Sequence, residues 1–148
     1  MNKSIPEPRV WRYADLAVGR KETRDYPITP EVYDHFLGAF GDYNPLHVDD
    51  AYARECGFGG KVMHGSLLNG FVSHFVGMVF PGRASLLLTV DLRFSEPSYL
   101  GDVIRLEAEV SQKLEARKIV VLDLMLRNAT QDCLAARGRV QVMMREEP

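Results

Sequence analysis

The sequence predicts an α+β domain in which an antiparallel sheet packs against one long apolar helix. Strand-like stretches with strict period-two alternation fill the C-terminal half. A helix-period apolar stretch, residues 65–80, comes directly before them. The chain has 148 residues, of which 46% are hydrophobic and 26% charged, and this suits one domain with a real core. We therefore expect residues 1–148 to form a single domain, with residues 1–9 as a loose N-terminal arm.

The N-terminal half begins with predicted elements of modest length. Residues 10–16 are expected to be a short strand or an irregular lead-in, and residues 20–26 a strand. Thr29 can cap a helix and Pro30 suits its first turn, so the apolar spacing that follows predicts a helix over Pro30–Phe40. Gly41 is expected to end this helix. A second short helix is predicted after the acidic residues 49–50, because acidic side chains favour helix N-termini.

The apolar helix over residues 65–80 carries a wide apolar stripe and a second stripe of small or polar residues. We expect it to be buried in the middle of the fold, with its end at Pro81-Gly82. Sequential antiparallel strands with short connections follow. Their predicted ranges are Ser85–Phe94, 103–110, 119–127 and 134–144.

Each predicted strand has one apolar face that should contact the helix. In Ser85–Phe94 this face is formed by the even positions, and the alternation indicates that the other face meets water or a partner. The outer rows also contain apolar residues among the charges, and an open sheet has edges to cover. Oligomerisation is therefore expected. The outer apolar residues are Leu87, Val103, Val121 and Met143.

Composition and charge exclude several classes of protein. The formal net charge of −2 gives no basic surface for nucleic acid. The longest apolar region is short and interrupted by polar residues, so no membrane span is expected. Cys56 and Cys133 have no metal-ligand spacing and do not make a disulfide framework, which favours a cytoplasmic protein. The N-terminus lacks the apolar core of a signal peptide.

Chemically distinctive residues follow the first predicted helix, in residues 41–47 (GDYNPLH). Asn44-Pro45 is a turn signal, and a turn there can bring Asp42 and His47 toward one point. A carboxylate and an imidazole within reach of one water are the groups that proton transfer near neutral pH needs. We expect this stretch to supply acid and base, and residues 63–66 (MHGS), which open the apolar helix, to supply an electrophilic pocket.

Residues 40–53 (FGDYNPLHVDDAYA) resemble the signature of the MaoC-like, or hydratase 2, family of (R)-specific enoyl-CoA hydratases. The family pattern has Gly-Asp, a variable residue, Asn-Pro, an aliphatic residue and His, with a small residue further on, here Ala53. Residues 62–65 (VMHG) are similar to the family's entry to its central helix, and Ser73 falls where the family commonly has an active-site serine. Phe40 departs from the pattern, because many relatives have a small hydroxyl residue there. The resemblance covers the chain from about Thr29 and implies the hotdog fold, an antiparallel sheet wrapped around a long central helix.

The activity that the resemblance implies is hydration of a trans-2-enoyl thioester to the (R)-3-hydroxyacyl thioester, or the reverse dehydration. His47 is the better candidate for the general base, and Asp42 could hold the water and relay a proton. The backbone N–H of Gly65 can donate to the thioester oxygen at the positive end of the helix dipole. Asn44 is expected to shape the turn, and Ser73 to hydrogen-bond in the pocket. Which of the two dyad residues moves which proton stays open.

Alternative roles exist for some of these side chains. His64 is interpreted as a structural histidine bonded to the backbone, and Ser73 could equally be satisfied by a preceding helix carbonyl. A metal site from Asp42, His47 and the acidic pair at 49–50 is conceivable. That pair suits a helix start better, and thioester hydration needs no metal, so we expect neither metal nor cofactor beyond the CoA or acyl-carrier part of the substrate.

Three classes of function compete at this point: a hydro-lyase of the hydratase type, a hotdog thioesterase, and a non-catalytic module that binds acyl thioesters. Residues 65–80 contain no carboxylate, which counts against the thioesterase class. An intact Asp42/His47 pair counts against binding alone. The resemblance further implies a homodimer, or a dimer of dimers, with the acyl pocket near the subunit interface.

Overall fold

The computed structural model of the chain describes residues 5–146, so residues 1–4 of the predicted N-terminal arm lie outside the described part. Five strands form one antiparallel sheet in the order β1-β3-β4-β5-β2. The strands are β1 (Lys21–Pro27), β2 (Ser85–Phe94), β3 (Val103–Leu114), β4 (Ile119–Asn128) and β5 (Cys133–Met144). The sheet packs against a central helix, as the α+β hotdog prediction requires.

Helix α1 (Pro30–Phe40) has the predicted bounds, and its two ends explain why. The Thr29 hydroxyl accepts a hydrogen bond from the Val32 N–H at 3.2 Å, which satisfies one of the free amides of the first turn. Gly41 ends the helix in the left-handed region, with φ of 65°. The chain therefore leaves α1 at Asp42 in a defined direction.

Two short helices follow the Asn44-Pro45 turn. Helix α2 (Pro45–Val48) was not predicted from the sequence, and Asn44 caps it by accepting the Leu46 N–H at 3.0 Å. Helix α3 (Asp50–Glu55) was predicted, and its cap is Asp49, which accepts the N–H groups of Ala51 and Tyr52. Both helices are held by side-chain caps because they are too short to be stable through propensity alone.

The central helix α4 (Gly65–His74) continues as a π-helical turn over Phe75–Val79. Its apolar stripe is buried against the sheet, which confirms the prediction that these residues form the core. The expectation that the helix is buried in the middle of the fold holds only in part for the chain alone. In the predicted small stripe of Gly65, Asn69, Ser73 and Gly77, Ser73 is exposed and the other three are half-buried. The other exposed residues of α4 are Ser66, Gly70 and His74.

The inner face of the sheet is the other half of the core. The predicted apolar rows of β3, β4 and β5 are almost entirely buried, and β3 is longer than the alternation predicted.

Outside the sheet, Arg9 is bonded through its backbone to Met78 and Arg83, so the predicted arm is already tied to the end of the central helix at that residue. No helix in residues 5–146 has both the length and the apolar character needed to cross a bilayer.

The first part of strand β2, before a bulge, differs from the prediction in the faces of its side chains. A bulge between Leu87 and Thr89 shifts the register against β5, so Leu87 lies opposite the buried Val142 and packs against the core. Leu87 is therefore not part of an exposed outer row, as had been expected. Val121, on β4, is not exposed either, since it is 3% exposed. Leu86 (45%) and Leu88 (43%), at the bulge, are exposed instead. Beyond the bulge the even positions lie opposite the inner row of β5, as predicted, although Val90 (40%) and Phe94 (51%) stay exposed on this edge strand.

Candidate active site

The loop after α1 brings Asp42 and His47 together through local hydrogen bonds. The Asp42 carboxylate accepts the Asn44 N–H at 3.3 Å, and the Asn44 side-chain oxygen accepts the Leu46 N–H at 3.0 Å. These two turns reverse the chain over a few residues. As a result, Asp42 Oδ2 lies 3.9 Å from His47 Nε2. Asn44 has the turn-shaping position that the sequence predicted for it.

His47 is oriented from two sides by main-chain contacts. Its Nδ1 lies 2.7 Å from the carbonyl oxygen of Val62, and because a carbonyl only accepts, Nδ1 donates the proton. The Tyr33 hydroxyl donates to the carbonyl of His47 itself at 2.9 Å. In the neutral ring Nε2 is then unprotonated and is directed at Asp42. This is the tautomer that a general base needs.

His64 lies beside His47 but has a different environment. It is 4% exposed, and its Nε2 donates to the backbone carbonyl of Asp42 at 2.9 Å. Its ring packs 4.0 Å from the His47 ring and 4.9 Å from the Phe36 ring, measured between centroids. This bond confirms the interpretation of His64 as a histidine bonded to the backbone. Its effect is to hold the Asp42 main chain against the central helix.

Two adjoining cavities meet at this group of residues. The outer one has a volume of about 550 Å³ and includes Asp42, Phe36 and Phe40 in its lining. The inner one has a volume of about 300 Å³ and is mainly apolar. Both are lined by His47, His64, Gly65 and Phe94, which form the boundary between the two spaces. A ligand could therefore place a reactive group at the dyad and an apolar tail inside.

Gly65 occupies the first position of α4, where backbone N–H groups have no partner inside the helix. A Cβ at this position would lie 3.4 Å from the Phe94 ring, so a side chain would fill the space between helix and strand. The absence of a side chain allows another molecule to approach the amide closely. The helix dipole places partial positive charge at the same point. This amide can stabilise negative charge that develops at the mouth of the inner cavity.

The structure does not bring Ser73 to this place. Ser73 is exposed on the outward face of α4 and lines neither cavity. Several lining residues were missed from the sequence, because they come from segments distant along the chain. Phe94, Pro97, Ser98 and Ala135 lie at strand ends and in the loop after β2. Ser98 is buried, and its hydroxyl has no hydrogen-bond partner within residues 5–146.

Asp42, His47 and His64 also form a cluster in which one possible ligand atom of each lies within 4.8 Å of the others. The conceivable set with residues 49–50 does not assemble, because Asp49 caps α3 and Asp50 Oδ1 accepts the Lys61 N–H at 2.8 Å. His64 offers no free nitrogen at this point, since its Nε2 donates to a carbonyl. The cluster thus has an imidazole nitrogen and a carboxylate available, which suits proton transfer better than metal coordination.

Comparison with known proteins identifies the family. The model of the MaoC-like domain matches residues 16–129, which include the Asn44-Pro45 turn, His47, His64 and most of the sheet. The chain belongs to the MaoC-like domain family. The (R)-specific enoyl-CoA hydratase of Aeromonas caviae is 37% identical to this MaoC-like chain over 107 residues, 72% of this chain and 80% of the relative. The 3-hydroxybutyryl-CoA dehydratase of Methylorubrum extorquens is 30% identical over 114 residues, 77% of this chain and 73% of the relative.

Solved structures support the same assignment at the level of the fold. The unliganded R-hydratase from Pseudomonas aeruginosa superposes with a TM-score of 0.83 at 32% identity, covering 91% of this chain and 86% of that one. The (R)-hydratase from Aeromonas caviae superposes with a TM-score of 0.81 at 30% identity, covering 87% of this chain and 97% of that one. The MaoC-like chain therefore has the hotdog architecture expected from its sequence.

Proposed function

We propose that this MaoC-like protein is an (R)-specific enoyl-CoA hydratase, which adds water to a trans-2-enoyl thioester or catalyses the reverse dehydration. The observation that carries the proposal is the approach of His47 Nε2 to Asp42 Oδ2, 3.9 Å apart at the boundary between two cavities. A water molecule placed between these atoms can contact both. The names of the relatives support the reaction class and the stereochemistry.

His47 acts as the base in the hydration direction. Its Nε2 accepts a proton from the water as the water oxygen bonds to C3 of the enoyl group. Asp42 lies where it can orient the water and stabilise the imidazolium that forms. The proton then returns from the dyad to C2, so that the net change is addition of one water molecule. The Nδ1–H bond to Val62 keeps His47 in the required tautomer throughout.

Negative charge accumulates on the thioester oxygen as C3 is attacked. The Gly65 amide, at the positive end of α4, is the donor we assign to this oxygen. The hydrocarbon part of the substrate then enters the inner cavity, where Leu67, Leu68 and Ile28 supply apolar contacts. Binding therefore aligns C3 with the dyad through contacts at both ends of the reacting group.

The decisive experiment is loss of crotonyl-CoA absorbance with purified protein and two variants, Asp42→Asn and His47→Gln. Each substitution is expected to lower kcat by about 10²–10⁴-fold, since proton-transfer groups contribute on that order. Asp34→Asn and His35→Gln, both exposed on α1, are the matched controls and should retain activity. Full activity in either dyad variant would contradict the assignment.

Further measurements on the same purified protein distinguish the competing functions. Hydrolysis of a saturated acyl-CoA with release of free CoA would support a thioesterase instead. Binding without turnover of either substrate would indicate a non-catalytic module. Chiral chromatography of the product tests the stereochemistry, for which the (R)-3-hydroxy acid is expected.

We propose that the reaction needs neither metal nor cofactor, and that the protein works in the cytoplasm. His47 Nδ1 and His64 Nε2 each donate a proton to a backbone carbonyl, so neither nitrogen is available to a metal ion. The few ligand atoms that remain in the cluster support the metal-free reaction. Activity should survive dialysis against EDTA. Loss of activity that Zn²⁺ or Mn²⁺ restores would overturn the metal-free mechanism.

We also propose a homodimer that pairs along strand β2. This strand ends the sheet, and its exposed apolar residues make a surface that a second copy could cover. Phe94, at one end of β2, lines both cavities and is half exposed. Pairing there would exclude water from the dyad, where the Asp42 side chain is 55% exposed in the chain alone.

A further inference from the structure

A separate cavity of about 360 Å³ lies behind the wall of the inner cavity. Its lining includes two cations, Arg54 and Lys61, together with the ring of Tyr99 and the exposed Leu100. Asp50 also lines it. The proposed reaction uses none of these side chains, so the cavity needs another explanation.

The two cations of this cavity are not neutralised by ion pairs. Within residues 5–146, no carboxylate oxygen lies within 4.0 Å of the charged nitrogens of Arg54 or Lys61, whereas Arg105 and Arg139 both have such partners. Asp50, the acidic residue of the lining, uses its Oδ1 to accept the Lys61 backbone N–H at 2.8 Å. The Lys61 ammonium rests 4.6 Å from the centre of the Tyr33 ring, a contact that leaves its N–H donors free.

The position of the cavity relates it to the active site. The two spaces share one wall, made by residues 58–63 and 97–100, which are joined by the antiparallel bridge of Val62 with Tyr99. Val62, Met63 and Ser98 line the inner cavity, whereas Lys61 and Tyr99 line the cationic one. A long substrate whose reactive end lies at His47 could therefore extend its other end around this wall.

We infer that Arg54 and Lys61 bind the phosphate of the group that carries the acyl thioester. This inference rests on the proposed hydratase function and specifies its substrate. A guanidinium fork and an ammonium are the side chains that recognise phosphate oxygens. In coenzyme A and in the prosthetic arm of a carrier protein, pantetheine carries a phosphate at the end away from its thiol, so the shared chemistry is a phosphate. The site selects phosphorylated carriers over simple thioesters.

The test compares three crotonyl thioesters: those of CoA, of 4′-phosphopantetheine and of pantetheine, which has no phosphate. Arg54→Ala and Lys61→Gln are each expected to lower kcat/KM about tenfold for the phosphorylated substrates, mainly through KM. For crotonyl-pantetheine the same variants should match the unmodified protein, which shows that the dyad is intact. Arg54→Lys should restore part of the loss. Arg117→Ala, in the turn between β3 and β4, is the matched control for loss of charge.

The outcomes separate this inference from the proposed function. An equal loss for all three thioesters would mean that Arg54 and Lys61 support the fold, and would overturn the inference. Unchanged kcat/KM for the phosphorylated substrates would overturn it as well. If the variants lose kcat/KM only with crotonyl-CoA, the cavity binds the nucleotide phosphates of CoA. If they lose as much with crotonyl-phosphopantetheine, it binds the phosphate that CoA and carriers share. Absence of turnover with every thioester, in the unmodified protein too, would instead reject the hydratase.

Discussion

Among single residues, His47 has its position and ring tautomer set more by hydrogen-bond partners elsewhere in the chain than by its neighbours in sequence. The Val62 carbonyl selects the ring tautomer, and the Tyr33 hydroxyl holds the main chain at His47. Neither partner, Val62 or Tyr33, belongs to the turn motif of residues 41–47. The proposed base is therefore positioned by α1 and by the segment that leads into α4, and these contacts can be tested separately from the chemistry.

Tyr33→Phe removes the hydroxyl that donates to His47 and leaves the ring in place. We expect kcat to fall about threefold to tenfold, because a hydrogen bond of this kind contributes about 0.5–1.5 kcal/mol and would act through the position of the base. KM should change less. Steady-state kinetics with crotonyl-CoA measure both, and Tyr43→Phe, at an exposed position, is the control. A Tyr33→Phe protein with unchanged kcat would show that this bond does not position His47.

His74 should make folding stability depend on pH. The His74 ring is exposed on one side, but its other side packs edge-on against Tyr26, and its Nδ1 lies 3.0 Å from the Tyr26 hydroxyl. This partial desolvation, and then the charge of Arg24, lower the pKa of His74 below its ordinary value of 6.5. The folded protein therefore binds fewer protons than the unfolded chain as pH falls below about 6.5. The contribution of neutral His74 to stability is present above that pH and is lost on acidification.

The prediction is that His74→Gln flattens the fall in unfolding free energy between about pH 7 and pH 5. Urea unfolding at a series of pH values measures this slope. His35→Gln, on the exposed side of α1, should keep the slope of the unmodified protein. Equal slopes for the unmodified protein and His74→Gln would remove His74 from the explanation.

At the scale of elements, the end of α1 links local structure to the site. Gly41 has φ of 65°, and Asp42 is the next residue, so the direction of the chain at Gly41 sets where the carboxylate lies. A residue with a Cβ is disfavoured in this conformation. Gly38, inside α1, has a helical backbone and open space around it. The two glycines therefore make a matched pair.

Gly41→Ala should lower the unfolding free energy by about 1 kcal/mol and reduce activity, because it strains the left-handed cap and displaces Asp42. Gly38→Ala should raise the unfolding free energy by about 0.5 kcal/mol without loss of activity, since alanine is the better helix former. Denaturant melts and crotonyl-CoA turnover test both variants. The same effect from both substitutions would show that backbone conformation at Gly41 is not the cause.

At the scale of the whole molecule, the sheet ends in an edge that differs from its interior. Strand β2 has unpaired backbone groups on one side and exposes Leu86, Leu88 and Val90. Exposed apolar edge strands favour association with another chain. The cleft beside Phe94 lies at the same edge, so association and completion of the active site would occur together.

Leu86→Glu combined with Leu88→Glu should convert the proposed dimer into monomers and reduce turnover. Each substitution places a charge on the surface that would become buried between the subunits. Light scattering coupled to gel filtration gives the mass, and Met125→Glu, exposed on the interior strand β4, is the control that should leave the dimer intact. A stable and fully active monomer, in the unmodified protein, would defeat the proposal.

Features that depend on local chemistry were predictable from the sequence. The cap at Thr29, the left-handed glycine at Gly41 and the period-two alternation led to the right bounds for α1 and β2, because each is a preference of a few adjacent residues. The motif in residues 41–47 likewise implied that Asp42 and His47 approach one another. It did so because a turn acts over a short stretch of chain.

Features that depend on contacts between distant segments could not be predicted in this way and are seen only in the folded chain. The bulge in β2 reverses the faces of Leu86 and Leu87, and three consecutive leucines carry no pattern that could show it. Ser73 points outward because packing, and not helical spacing, decides which stripe of α4 meets the sheet. The Val62 carbonyl fixes the tautomer of His47 from 15 residues away. Local preferences act between neighbours along the chain, whereas these contacts exist only when the chain has folded.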